Sequence, residues 1–528
     1  MKPSTVKTGI ILVIALIAAA AASSMFSCAP TREPVTFVVN NGFDPASLDP
    51  AHMHSEADMN VGQALFEGPL GRDPRTGAPI PALAESWSFS PERTTVTFRF
   101  RKASFSDGKP ITAGAVAASW LRTLAPGTAA TYAYMMSMAI RGAEEYNAGT
   151  AGRDAVALKV VDDRTLEVGM PMALPFIEEL FAHPVFWVVP VHAIDAESAW
   201  LTPKGFVGSG AFVLEESVRG ERITVRKNPR YWDAGNVGLD RIEFLQVQSV
   251  STAFAMYEVG EVDWLSRLPP DVAEEVVLMD DCVTMVSPGT EALVPNHRRP
   301  VLADARVRKA LSLCIDRKAV ESAVFSGSYL ATDRFVSAMP GYDQPPAAPP
   351  DPEAARRLLA EAGFPGGRGI PPLDYVIPAA DRHKRLAEYL QGVWKKELGI
   401  EVRLWPMEWQ VYLDARRSGD FDLAEMGWGA DYLDPSNFLE IFTTEMDANR
   451  GGWSNSRFDE LIATAMDMPA GDERTAAYRE AERILLDEEQ AIIPVYNFVA
   501  RDLIDLDKWD GWYPNPYSIH EWKYVRMK

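Results

Sequence analysis

Cysteine is nearly absent, with only Cys28, Cys282 and Cys314 in 528 residues. That scarcity excludes a disulfide framework and the paired Cys-x-x-Cys ligands of a structural zinc site. Seven histidines are few as well, and none stands in a His-Glu-x-x-His pattern. The chain lacks a Walker-type phosphate loop and a Gly-x-Ser-x-Gly nucleophile elbow. Gly208-Ser209-Gly210 comes nearest, but an extended run follows it, so it reads as a turn entering a strand. His52-Met53-His54 could place two imidazoles on one side of a strand. With no third ligand at a fixed spacing, a solvent-facing or hydrogen-bonding pair is expected instead. No catalytic residue, no cofactor and no metal ion are expected.

Positive charge is also short, 52 basic against 73 acidic residues for a net charge of −21. The first 27 residues hold two Lys and no acid, so the remainder carries −23. Nucleic-acid phosphates need a basic face, so nucleic acid is not an expected partner. Cationic or amine-bearing ligands would be attracted, although solubility explains the charge equally well. Long apolar runs are limited to Ile10–Ala22, 13 residues, where a membrane-spanning helix needs about 20. Lys2 and Lys7 precede that run, and Ser23, Ser24 and Ser27 follow it, the layout of a targeting segment. Met25-Phe26-Ser27-Cys28 resembles the bacterial lipoprotein processing box, with Phe26 as a departure from the usual small residue. Lipid on Cys28 would tether the chain outside the cytoplasmic membrane.

What is present describes a large α/β protein. A chain of 528 residues exceeds what one hydrophobic core organises, so at least two lobes are expected. Its 14 Trp, 16 Tyr and 23 Phe are enough to line a cleft as well as fill cores. Thr94–Phe100 and Arg222–Arg226 alternate polar and apolar residues, as half-buried strands do. Asp162–Val168 reads as a turn and then a strand. Thr112 opens an Ala-rich helix to Leu124. Asp351 caps a helix with Pro352 at its first position and Gly363 at its end. Apolar residues from Leu386 to Leu398 recur at helical spacing until Gly399, and Ile400–Leu404 returns to strand. Pro345–Pro350 is a stiff connector.

Ala82-Leu83-Ala84-Glu85-Ser86-Trp87, continued by Phe105-Ser106-Asp107-Gly108-Lys109-Pro110-Ile111-Thr112-Ala113, resembles the signature of the peptide-binding (family 5) extracellular solute receptors of ABC importers. Asp304–Arg317, Leu358–Phe364 and Ile492–Tyr496 follow the same family in the same order, so the likeness covers roughly residues 36–528. It implies a periplasmic binding protein-like fold, class II, cluster C, with two hinged lobes and an extra inserted domain. The implied boundaries are a signal peptide at 1–27, lobe I at 28–66, 191–285 and 499–528, the inserted domain at 67–190, and lobe III at 286–498. The implied function is capture of short peptides between closing lobes and delivery to a permease. The chain would then be a non-enzyme of the periplasm or cell envelope, a monomer held to the membrane by lipid alone.

Gly427-Trp428-Gly429-Ala430-Asp431-Tyr432 matches a segment of the oligopeptide-binding branch. The resemblance makes Asp431 the partner of a peptide's α-ammonium group, with Trp428, Gly429 and Ala430 beside it. Taken alone, Asp431 reads rather as a cap of the turn at Asp434-Pro435, and only the flanking match favours the anchor. Trp409 and Trp428 match tryptophans that line side-chain pockets, and Tyr132 a tyrosine near the ligand backbone. His383, at a helix N-terminus that favours anions, matches a histidine facing the ligand carboxylate. Two departures stand out. Glu425 and Phe325 replace basic residues that serve that carboxylate, and an acid facing it would repel it. Gly289 and Gly429 occupy positions matched to a disulfide. A non-peptide ligand (a cationic small molecule, an oligosaccharide or a metal chelate) and an adhesin-like surface lipoprotein are the alternatives.

Overall fold

The computed structural model describes residues 33–194, 199–266, 268, 276–339 and 341–528. Cys28 and the targeting segment lie outside them. One continuous sheet runs through two lobes, in the order 402–407, 373–378, 423–429, 282–295, 493–504, 264–265, 36–40, 241–245, 222–227, 212–218. Two long strands, Cys282–Pro295 and Ile493–Ile504, carry the sheet from one lobe to the other. At one end Leu503 and Ile504 pair with Leu265 and Trp264, inside the first lobe. At the other end Gly289–Pro295 pair with Leu423–Gly429, inside the second. Midway their own pairing slips: Val286 faces Val499 and Thr290 faces Asn497. Ser287-Pro288-Gly289 therefore stands opposite Phe498 alone. Pro288 has no N–H to give a ladder, so a bulge is where it fits.

Each lobe closes around its own apolar core. In the first, Thr36–Asn40 runs parallel to Arg241–Leu245, and Phe37, Val39, Ile242 and Phe244 point inward. The C-terminal segment returns to this core, where Phe37 meets Trp509 edge-on at 4.7 Å and Trp522 packs on Trp264 and Phe244. The inserted unit has a four-stranded sheet, 84–89, 95–100, 165–169 and 158–162. Val96, Phe98 and Phe100 alternate inward on Thr95–Phe100 and pack with Trp120, Phe181 and Phe186. In the second lobe, Leu386, Leu390, Trp394 and Leu398 put the buried stripe of helix Asp381–Leu398 on Leu373, Tyr375 and Leu423.

Local chemistry sets the element ends. The Thr112 hydroxyl accepts from the Ala115 amide at 3.2 Å, opening helix Ala113–Leu124. Asp351 accepts from the Ala354 amide at 2.8 Å, and Pro352 begins that helix where its missing N–H costs nothing. Gly399 ends helix Asp381–Leu398 at φ 71°, a left-handed value that an L side chain resists. Gly208-Ser209-Gly210 is structural. The buried Ser209 hydroxyl accepts from the Glu67 amide at 3.0 Å and donates to the Val188 carbonyl at 2.7 Å, just before strand Phe212–Val218. His52 and His54 are exposed on either side of buried Met53, and the His54 ring bonds the His52 carbonyl. No helix among the described residues is long and apolar enough to cross a membrane.

Candidate functional site

A cavity of about 230 Å³ opens between the lobes. Its walls are Met59, Phe66, Glu67, Arg72, His183 and Trp187 on one side, Ala430 and Asp431 on the other, and Tyr517 and Lys523 from the C-terminal segment. The charges on the first-lobe side are already paired. Glu67 accepts from Tyr231 at 2.5 Å, Trp232 at 2.7 Å and Lys523 at 2.9 Å. Arg72 bonds Glu179 at 2.6 Å and lies over the Tyr517 ring at 3.9 Å. Burial pushes His183 down to about 3, so its ring is neutral, and Nδ1 accepts from the Val185 amide at 3.2 Å.

Asp431 is different. It is exposed to the cavity and forms no ion pair among the described residues. Surrounding protein still raises its carboxyl pKa above the usual carboxylate range, with a hydrogen bond from Tyr134 working the other way. Its negative charge in turn adds to burial in raising the Tyr132 and Tyr134 phenols. The loop that presents Asp431 is held by its neighbours. Tyr432 stacks on Phe176 of the inserted unit at 4.2 Å and 13°. The Leu433 amide donates to the Tyr517 hydroxyl at 2.9 Å. Asp434, not Asp431, caps the following turn: it accepts from the Ser436 amide at 3.0 Å. The same carboxylate takes a bidentate, buried pair from Arg474 at 2.6 and 2.8 Å. The cap and the Arg474 pair thus fall to Asp434 and not to Asp431.

The approach to that loop is bare backbone. Strand Leu423–Gly429 pairs along its length with Gly289–Pro295, but meets Leu373–Pro378 only at Leu423 and Ala424. Gly427 and Gly429 are both exposed and carry no side chain to cover the free edge.

Residues 78–450 match the model for the bacterial extracellular solute-binding proteins, family 5 Middle. The chain belongs to that family. It is 32% identical over 527 residues to the periplasmic oligopeptide-binding protein OppA of Salmonella typhimurium, covering 97% of this chain and 96% of that one. A second relative, named "Probable deoxycholate-binding periplasmic protein YgiS", from Escherichia coli, is 32% identical over 486 residues, 88% of this chain and 89% of that one. Among solved structures, the unliganded open form of the murein tripeptide-binding protein MppA superposes with a TM-score of 0.85 at 28% identity, covering 94% of this chain and 98% of that one. The structure of this family 5 receptor therefore has the two-lobed binding-protein fold, in an arrangement similar to an open state.

The other residues singled out in the sequence take different places in the receptor. Tyr132 lies with Tyr134 and His183 near Asp431. Trp428 is half-buried, its Nε1 donating to Asn437 at 3.1 Å, while Trp409 is exposed and leans on Tyr412. Phe325 is buried in the second-lobe core against Tyr329 and Tyr496. Glu425 does not confront the cavity as a charge. It is 1% exposed, accepts from Tyr375 at 2.9 Å and touches the His383 ring. Burial pushes it up to about 8, and burial with the Arg382 charge pushes His383 down to about 4. Glu291, which the sequence did not single out, completes this group. It sits one strand over, raised to about 7 by burial and by the Glu425 charge. Nothing in a Glu-Ala-Leu-Val run marks it; only the strand register shows it. Tyr134, two residues after Tyr132, was missed for the same want of a contact. Gly289 and Gly429 are register partners, and Cys282 and Cys314 are free thiols.

Proposed function

We propose that this chain is the extracytoplasmic receptor of an ABC importer, a monomeric non-enzyme that closes its lobes on a short peptide and delivers it to the permease. Lipid on Cys28 would hold it at the outer face of a bacterial cytoplasmic membrane, with the lobes divided at about residues 66, 190, 285 and 498. The observation that carries the reading is Asp431, a carboxylate in the interlobe cavity with no cation of its own. A peptide's α-ammonium supplies that cation through charge-assisted hydrogen bonds, strongest once closure excludes water. The edge of strand 423–429 beyond Glu425, at residues 426–429, offers main-chain partners to an extended peptide, so affinity need not depend on side-chain identity. Relatives named for oligopeptides and a murein tripeptide point the same way.

Titration calorimetry with tri- to pentapeptides tests this. Asp431→Ala should weaken binding by about 2–5 kcal/mol, the size seen when one member of a desolvated charge pair is removed. Glu445→Ala, on an exposed turn, should leave it unchanged. N-acetylated peptides should bind as poorly to the unaltered protein as free peptides do to the variant. Deoxycholate has no ammonium for Asp431. Tight binding of that bile acid without binding of any peptide would sink the proposal.

A further inference from the structure

We propose that Glu291, His383 and Glu425 form a binding site for one divalent transition-metal ion, within the second lobe beneath the exposed backbone of Gly427. The three side chains come from three elements, strands Cys282–Pro295 and Leu423–Gly429 and the first turn of helix Asp381–Leu398. All are buried, and one ligand atom from each lies within 4.8 Å of the others. Metal–nitrogen and metal–oxygen bonds of about 2.0–2.2 Å set tetrahedral donors about 3.3–3.6 Å apart, so side-chain rotation would draw the three together around an ion.

Charge supports the assignment. Two carboxyl groups face each other in the interior, and a metal ion would bind them by displacing their protons. Arg382, 39% exposed, pairs with Glu291 at 3.8 Å, whereas Glu425, among the described residues, faces only the Tyr375 hydroxyl and the His383 ring.

The surroundings orient the donors as an outer shell does. Tyr375 donates to Glu425 Oε1 at 2.9 Å, leaving Oε2 directed at His383. The Tyr412 hydroxyl bonds the Glu425 carbonyl, fixing the strand, and Tyr496 reaches Glu291 Oε2 at 3.4 Å. Gly427 lies close over the site: a Cβ there would sit 3.1 Å from the Phe498 ring and 3.2 Å from Glu291 Oε2. One nitrogen and two oxygen donors without thiolate suit Zn²⁺ or Co²⁺ better than a soft ion such as Cu⁺.

The experiment uses the full chain, stripped with a chelator, freed of it and titrated with ZnCl₂ in the absence of peptide. One equivalent should bind with Kd below about 10 μM, or roughly 7 kcal/mol. Glu425→Gln, Glu291→Gln and His383→Ala should each weaken it at least about 100-fold, the upper size of outer-shell effects. Because buried variants can misfold, Co²⁺ is also added to the unaltered protein. Visible d–d bands without a thiolate charge-transfer band would support the assignment, whereas a thiolate band would move the ion to one of the three cysteines and overturn it. Failure of the unaltered chain to bind Zn²⁺ at about 0.1 mM, or full affinity in a folded variant, would also overturn it. Peptide affinity is measured separately, so either proposal can fail without the other.

Discussion

Asp431 forms no ion pair among the described residues, while Asp434, three residues on, does the local structural work of the loop. In the sequence Asp431 reads, on its own, as the cap of the turn at Asp434-Pro435. The structure assigns the cap, and the buried Arg474 pair, to Asp434. The raised pKa of Asp431 has a consequence with a definite sign. An ammonium binds the ionised carboxylate and lowers its pKa, so peptide affinity is complete above the free-protein pKa of Asp431. Affinity falls as pH drops through that value, because a proton then competes with the ligand. Calorimetry at descending pH should show weakening that begins above the ordinary aspartate range near 3.9. Asp431→Asn should bind weakly and without this dependence. Glu425 teaches the converse. As a sequence position it is an acid where a cation was expected, yet Tyr375 and His383 turn it inward and burial favours its protonated form.

Elements transmit these local choices. The Asp431 loop follows strand Leu423–Gly429 and is clamped from behind by Arg474, on helix Asp472–Arg483. Removing the guanidinium leaves Asp434 buried and unpaired, so Arg474→Ala should cost about 3–5 kcal/mol in urea unfolding and weaken peptide binding together. Gly289 makes a second test, in the bulge between the lobes. A Cβ there would run into the Phe498 ring, so Gly289→Ala should destabilise the protein by about 1–3 kcal/mol. The loss should shrink in a Phe498→Ala background, because the two side chains compete for one space. Sequence patterning found the helices at 113–124, 352–361 and 381–398, because caps and 3.6-residue periodicity are local. It did not find the edge strand Leu158–Asp162, whose residues are mostly exposed and carry no alternation.

At the scale of the whole molecule, two strands and the bulge between them join lobes with separate cores, which is how a rigid-body closure is built. The superposition on an open form fits a receptor waiting for its ligand. Small-angle scattering should show a smaller radius of gyration when a binding peptide is added. Asp431→Ala should stay expanded at the same peptide concentration. Compaction in both proteins would place the trigger for closure elsewhere in the cavity.

Sequence alone determined the α/β class, the family likeness and the helix boundaries. Each rests on short-range chemistry: a cap three residues from its amide, an apolar stripe every third or fourth position, or a motif read in order. Sequence also brought out Asp431, through the residues flanking it. The tertiary structure decided what that carboxylate is free to do, by giving the cap to Asp434 and the cations of the cavity to Glu67 and Glu179. It alone brought Glu291 beside Glu425 and His383. Those three are far apart in the chain, and only the register of two strands and the seating of one helix fix their distance.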